Sequence, residues 1–167
     1  MKKAILYVNQ FFAGIGGEDT ADLEPVIKKE KIGPALSLDK YLEAEITHTV
    51  YCGDNFMGSN TKEAVSKIIE MLKPLEFDIF LAGPAFQAGR YGVACGNICK
   101  AVKEEFNVPV ITSMNEENPG VEMFKKEMII LRGGKSAAKM KKDTEAMAKV
   151  GRSEERRVGK ECRSRWS

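Results

Sequence analysis

Asp78-Ile79-Phe80-Leu81-Ala82-Gly83-Pro84-Ala85-Phe86-Gln87-Ala88-Gly89-Arg90-Tyr91-Gly92 is the stretch on which the fold turns. Ile79 to Ala82 is apolar at every position and is closed by Gly83-Pro84. A short run of this kind reads as a strand covered on both faces, as in a parallel sheet. From about Gly92 to Phe106, residues Val93, Cys95, Ile98, Cys99 and Val102 recur at helical spacing. A doubly covered strand leading through a polar loop into a helix is half of a βαβ unit.

The same alternation extends in both directions. Lys2–Val8 predicts a first strand, and Glu45–Tyr51 a second with alternating side chains, Ile46, His48 and Val50 against Thr47, Thr49 and Tyr51. Asn60-Thr61 caps a helix whose apolar face is Ala64, Val65, Ile68, Ile69 and Leu72. Val108–Thr112 and Met128–Leu131 predict two more strands. Shorter helices are expected at Ala35–Leu42 and Gly120–Lys126, and a polar last helix at Ser136–Lys149. Right-handed crossovers then give a three-layer α/β/α sandwich with a mostly parallel five-stranded sheet, flavodoxin-like or Rossmann-like.

The chain has 167 residues, 43% hydrophobic and 30% charged, which is the usage of a globular domain and not of a disordered chain. No apolar stretch approaches the roughly 18–20 residues of a membrane-spanning helix. The net charge of +2 is concentrated at one end. Of 26 basic and 24 acidic residues, six and three fall in 152–165, which leaves the rest at 20 and 21. A near-neutral body lacks the basic footprint of a nucleic-acid binder. Four cysteines (52, 95, 99, 162) form no CxxC pair, which favours a reduced, cytoplasmic setting. The domain is expected to cover 1–150. Residues 151–167 contain five Arg and the single Trp166 without apolar periodicity, and they are similar to translated adapter or vector sequence.

In an open α/β sheet, ligands bind outside the carboxyl ends of the strands. The unusual residues of this chain follow its predicted strands: Asn9, Gln10, Gly14, Gly16 and Gly17 after the first, Asp54 and Asn55 after the second, Phe86, Arg90 and Tyr91 after the third, and Asn118 after the fourth. Four distant stretches are expected to meet on one rim. Arg90 offers a planar fork that can hold a carboxylate bidentately. Asp54 and Asn55 could accept from a ligand ammonium, or close their own turn. The glycines of 14–17 could present N–H groups to an anion, or form a tight turn over packed phenylalanines. Their pattern is neither a dinucleotide fingerprint nor a phosphate-cradling loop. Cys95 and Cys99 read as small buried hydrophobes, His48 as a hydrogen-bonded strand residue, and Cys52 as a rim thiol with either a structural or a redox role. No cofactor or metal site is expected in these residues. Taken alone, they indicate a polar crevice for a small anionic or zwitterionic ligand.

The strings Val8-Asn9-Gln10-Phe11-Phe12-Ala13-Gly14-Ile15-Gly16-Gly17-Glu18, Cys52-Gly53-Asp54-Asn55, and Ala82 through Gly96 resemble one family, supported by Glu117-Asn118-Pro119-Gly120 and Ser136-Ala137-Ala138. It is the selenoprotein B subunit of the glycine, sarcosine and betaine reductases, and the resemblance covers residues 1 to about 149. It implies an oxidoreductase that cleaves the C–N bond of glycine or an N-methylated glycine in anaerobic amino-acid fermentation. It also implies a pyruvoyl-containing partner subunit that binds the amine, a selenocysteine that passes a carboxymethyl group to selenoprotein A, acetyl phosphate formed on component C, and thioredoxin as electron source. The chain itself contains no selenocysteine. The resemblance therefore implies an amino-terminal portion of a longer protein, inactive alone, with no catalytic residue to carry over. A flavodoxin-like domain for FMN or another small ligand and a domain serving only assembly of the complex are the competing expectations.

Overall fold

The computed structural model describes residues 2–161. In chain order its elements are β1 (Lys2–Asn9), β2 (Val26–Lys28), α1 (Ala35–Tyr41), β3 (Ala44–Cys52), α2 (Asp54–Ser59), α3 (Thr61–Leu72), β4 (Ile79–Ala82), α4 (Gly89–Phe106), β5 (Val110–Met114), α5 (Pro119–Phe124), β6 (Ile129–Arg132) and α6 (Met140–Glu161). They form one six-stranded sheet in the order β2-β3-β1-β4-β5-β6. Every pairing is parallel except that of β2 with β3.

The expected three layers are present, with two corrections to the sheet. It has six strands, not five, because Val26–Lys28 pairs antiparallel with Thr49–Tyr51 at one edge. Three residues following Pro25 are too few to show a period, so this strand is set by its neighbour. The second correction lies in β3. Ile46 and Val50 were expected on one face, yet they pack into opposite cores. The pairing with β1 shifts between Ala4↔Ile46 and Ile5↔His48, so Thr47 is an extra residue and the alternation reverses there.

Alternation along β1 divides the apolar residues between the faces. Ile5 and Tyr7 join Ala64, Ile68, Leu72, Cys95, Ile98, Cys99 and Phe124 beneath α2 to α5. Ala4, Leu6 and Val8 join Ala35, Leu38, Met147 and Ala148 beneath α1 and α6. β4 is fully buried, as read. Helix α6 continues past Lys149 to Glu161, and a Cβ on Gly151 would come within 3.0 Å of Leu42 Cδ1 and 3.2 Å of Ile79 Cδ1. The segment expected to lie outside the domain thus begins against its core. Its last part, including Cys162 and Trp166, lies outside the described residues.

Set aside the antiparallel edge strand, and the parallel strands run in flavodoxin-like order, with the chain reversing direction across the sheet between β1 and β4. The loops after those two strands define where a crevice opens.

Candidate functional site

Asn9 ends β1 beside Cys52, the end of β3. This pairing brings Asn9 against Asp54, the first residue of α2, and Asn9 Nδ2 donates to Asp54 Oδ2 at 2.9 Å. The other side of the Asn9 amide fixes the loop, with Asn9 Oδ1 accepting from Phe12 N–H at 2.9 Å. Gln10 Oε1 accepts from Asp54 N–H at 2.9 Å, which satisfies one of the open donors at the start of α2. Gln10 Nε2 donates to Gly17 O at 3.3 Å. Two amides therefore tie the glycine loop, β1 and α2 together.

Two of the three loop glycines direct their N–H groups into the loop itself. Gly14 N–H donates to Phe11 O, and Gly17 N–H to Asp19 Oδ1 at 3.0 Å. Gly14, at φ +77°, completes the tight turn. Gly16 belongs to the same loop, packed against Thr20. The loop carries Phe12, whose ring stacks on Tyr91 (centroids 5.7 Å apart) and lies 5.5 Å from the ring of Phe86. Tyr91 and Phe86 are buried. The crevice outside β1 and β4 is thus packed with the chain's own aromatic rings, and a flavin would have to displace Phe12. Phe86 has φ +55°, a conformation costly for a side chain with a Cβ. Its carbonyl is held there by Asn115 N–H (2.8 Å) and Asn118 Nδ2 (3.1 Å).

Arg90 stands in the first turn of α4 and forms an ion pair with Glu18 of the glycine loop. Beside it runs an open groove of about 440 Å³, walled by Met57, Thr61, Val93, Ala94 and Pro119. Asp54 senses both charges. Its carboxyl is held above the ordinary carboxylate value, first by burial and also by Glu18, against the opposing effects of the Asn9 hydrogen bond and Arg90. Asp54 Oδ1 and the Tyr7 hydroxyl are buried with no hydrogen-bond partner among the described residues.

The sequence-predicted residues thus gather on one rim but separate into two kinds. Arg90 is accessible, whereas Asn9, Gln10, Asp54, Phe86, Tyr91 and Asn118 are buried in the packing that shapes the rim. Asn118 is the N-cap of α5. Its Oδ1 accepts from Gly120 N–H, and its Nδ2 donates to Phe86 O and Ala88 O. Asn55 faces outward and pairs with Asp22. Sequence reading missed Glu18 as Arg90's partner, because 72 residues separate the two. Cys52 is buried, and burial together with Asp54 pushes its thiol up to about 12. It is held as a thiol rather than the thiolate that redox chemistry uses. His48 Nδ1 lies 2.8 Å from Thr47 Oγ1, the local contact read for it.

A raised carboxyl pKa favours the protonated form in the folded chain. The contribution of Asp54 to stability is therefore greatest below the ordinary value near 3.8 and declines as pH rises through its folded pKa. Asp54→Asn keeps the shape and removes the proton. Urea unfolding across that pH window is expected to show a shallower decline in this variant. Asp143, raised mainly by burial, adds slope of the same sign.

Among the described residues no helix is long and apolar enough to cross a membrane, and no group of three or more His, Cys, Asp or Glu is placed to hold a metal ion. No solved structure matches the chain. Among curated proteins, it is 64% identical over 151 residues to the betaine reductase complex component B subunit beta of Peptoclostridium acidaminophilum, which covers 90% of this chain and 35% of that protein. From the same organism, the sarcosine reductase complex component B subunit beta is 46% identical over 150 residues (89% and 34% covered), and the glycine reductase complex component B subunit gamma 48% over 149 (88% and 34%). The chain spans about a third of the length of these relatives. The family description matching residues 1–161 is glycine/sarcosine/betaine reductase selenoprotein B. With that match running through all six strands and all six helices, the chain belongs to the glycine/sarcosine/betaine reductase selenoprotein B family.

Proposed function

We propose that this chain is the amino-terminal part of a component B subunit whose complex reductively cleaves the C–N bond of betaine, releasing the amine. Sarcosine and glycine are the related substrates. The observation that carries the choice is the identity of 64% to a betaine reductase subunit, against 46% and 48% to the sarcosine and glycine counterparts. The substrates differ by methyl groups on nitrogen, and a methylene-sized difference is worth only about 1–3 kcal/mol in a pocket. Small changes in the walls are therefore enough to separate them.

In this reading the selenocysteine of the longer protein and the pyruvoyl group of a partner subunit supply the covalent chemistry. Selenoprotein A is the next carrier and thioredoxin the electron source, in the cytoplasm. The residues of this chain bind and orient. Arg90 takes the substrate carboxylate, Asp54 faces the ammonium end, and the packed rings of Phe12, Phe86 and Tyr91 keep water from the space between. The foreign-looking residues near the carboxyl end take no part, and this portion alone turns nothing over.

Arg90→Ala in the complete subunit tests the reading. A charge-assisted hydrogen bond contributes about 1.5–3 kcal/mol. Betaine kcat/KM should therefore fall by roughly 10- to 150-fold, while the complex still assembles in size-exclusion chromatography. Unchanged turnover would instead leave this domain a role in assembly alone.

A further inference from the structure

We propose that one water molecule is built into the core beneath the rim, accepting hydrogen bonds from the hydroxyls of Tyr7 and Tyr91 and donating to Asp54 Oδ1. The inference stands whatever the rim itself binds.

Three observations carry it. First, all three oxygens lack the same thing. Tyr7 and Tyr91 are fully buried and Asp54 is 6% exposed, and neither hydroxyl nor Asp54 Oδ1 has a hydrogen-bond partner among the described residues. A buried polar atom in that state weakens the fold until something supplies the bond. Second, the chain's own contacts bring the three together. Tyr7 and Asn9 stand two apart on β1 and so project from one face of the sheet, the face on which Tyr7 shares a core with Tyr91. Asn9 fastens the other two groups over that face. Its Nδ2 donates to Asp54 Oδ2, and its Oδ1 accepts from Phe12 N–H, whose ring stacks on Tyr91 at 5.7 Å. The nearest strand neighbour of Tyr7 on β4 is Ala82, whose side chain ends at its β carbon. The acidities agree with this placement. Burial raises the Tyr7 phenol first, and Cys52, Cys95, Asp54 and Tyr91 add to it. Burial also raises Tyr91 first, with Cys95 and Asp54 adding and the Asn9 backbone opposing. Third, the chemistry selects water. Two hydroxyls that donate and one oxygen that accepts ask for a molecule able to do both. An ammonium has nothing to accept with, and a carboxylate has nothing to donate. Neighbouring thiols are weak partners, and that of Cys52 is turned to Leu23 O and Gly53 O. Three hydrogen bonds are the usual complement of a buried water. Because Oδ2 is engaged by Asn9, a proton taken up by Asp54 belongs on Oδ1, and a water can turn to accept it.

Tyr7→Phe and Tyr91→Phe in the full chain each remove one hydroxyl and little else, and they test the water. Each should lower the urea midpoint, with the folded-to-unfolded ratio falling by about 2- to 10-fold, the scale of one hydrogen bond. The Asp54 carboxyl, followed by carbon-13 NMR, should titrate at higher pH in both variants, because the water that donates to its ionised form has lost a bond that held it. A crystal structure of the unaltered chain should show one peak within hydrogen-bond distance of all three oxygens. A midpoint that stays or rises would mean that the hydroxyl had no bond to lose, and would overturn the water. So would an unmoved Asp54 titration, or a crystal structure with no peak between the three oxygens. None of these results bears on ligand binding at Arg90.

Discussion

Gly53→Ala is expected to lower stability by about 3 kcal/mol, the upper range for forcing an atom into filled space. The backbone at Gly53 is ordinary, with φ −69° and ψ 137°, so the cost is not conformational. It is a collision: a Cβ would lie 2.2 Å from the carbonyl oxygen of Ala21 and 2.6 Å from Leu23 N. Those atoms are not free to retreat. Ala21 O accepts from Asn55 N–H (2.8 Å) and Phe56 N–H (3.0 Å), and Leu23 O accepts from Gly53 N–H (2.8 Å). Together these bonds dock the 21–23 segment onto the start of α2, and the added methyl breaks them as a group. The urea midpoint should fall with little change in slope. Gly58→Ala in the same helix is the control, because a Cβ there meets nothing within 4 Å. It should be neutral or gain about 0.5–1 kcal/mol. Equal behaviour of the two variants would show that the 21–23 segment yields.

Asn118→Ala should cost a similar amount, about 2–4 kcal/mol, and for a different reason. The side chain is 1% exposed and makes three hydrogen bonds, one to the N–H of Gly120 and two to the carbonyls of Phe86 and Ala88. Loss of a helix cap costs about 1 kcal/mol, and a buried polar group left without its partner about 1–3 kcal/mol. Part of the loss is recovered where water enters. Phe86 would also lose one of the two donors that hold its positive φ. If Asn118 were a ligand contact, the same substitution would leave the denaturation curve unmoved and weaken binding. A midpoint loss of this size identifies it as the staple between the loop after β4 and the start of α5.

How far the sequence could be read depended on whether its signals were local. β4 and α4 were legible because an apolar run and a helical stripe each follow a period of their own. β2 was not, since Val26–Lys28 acquires its conformation only by pairing with β3. α2 was read as a turn because Asp54-Asn55 are turn residues and its six residues are too few to repeat. The extra residue at Thr47 left no local mark, and it reversed the faces of the strand beyond it. At the rim, the position of each residue could be read because strand ends lie where the strands lie. Its role could not. An amide that follows a strand can serve a ligand or a neighbouring backbone, and Asn9, Gln10 and Asn118 all serve backbone groups or Asp54. Arg90 was legible as a fork able to hold a carboxylate, but its partner Glu18, 72 residues away in the chain, was not.

Helix α4 lies against its neighbour at two glycines one turn apart. A Cβ on Gly92 would come within 2.1 Å of Asn118 Oδ1, and one on Gly96 within 2.1 Å of Phe124 Cδ2. A rod notched twice along one side can neither spin nor slip in its seat. The anchorage of Arg90 is thereby fixed, and the guanidinium can travel only as far as its own side-chain torsions allow. In the proposed reading, selectivity for ligand length then follows from the arm and not from a movement of α4. Arg90→Lys, with a single-point charge in place of the fork, would leave the seat intact and alter only the grip.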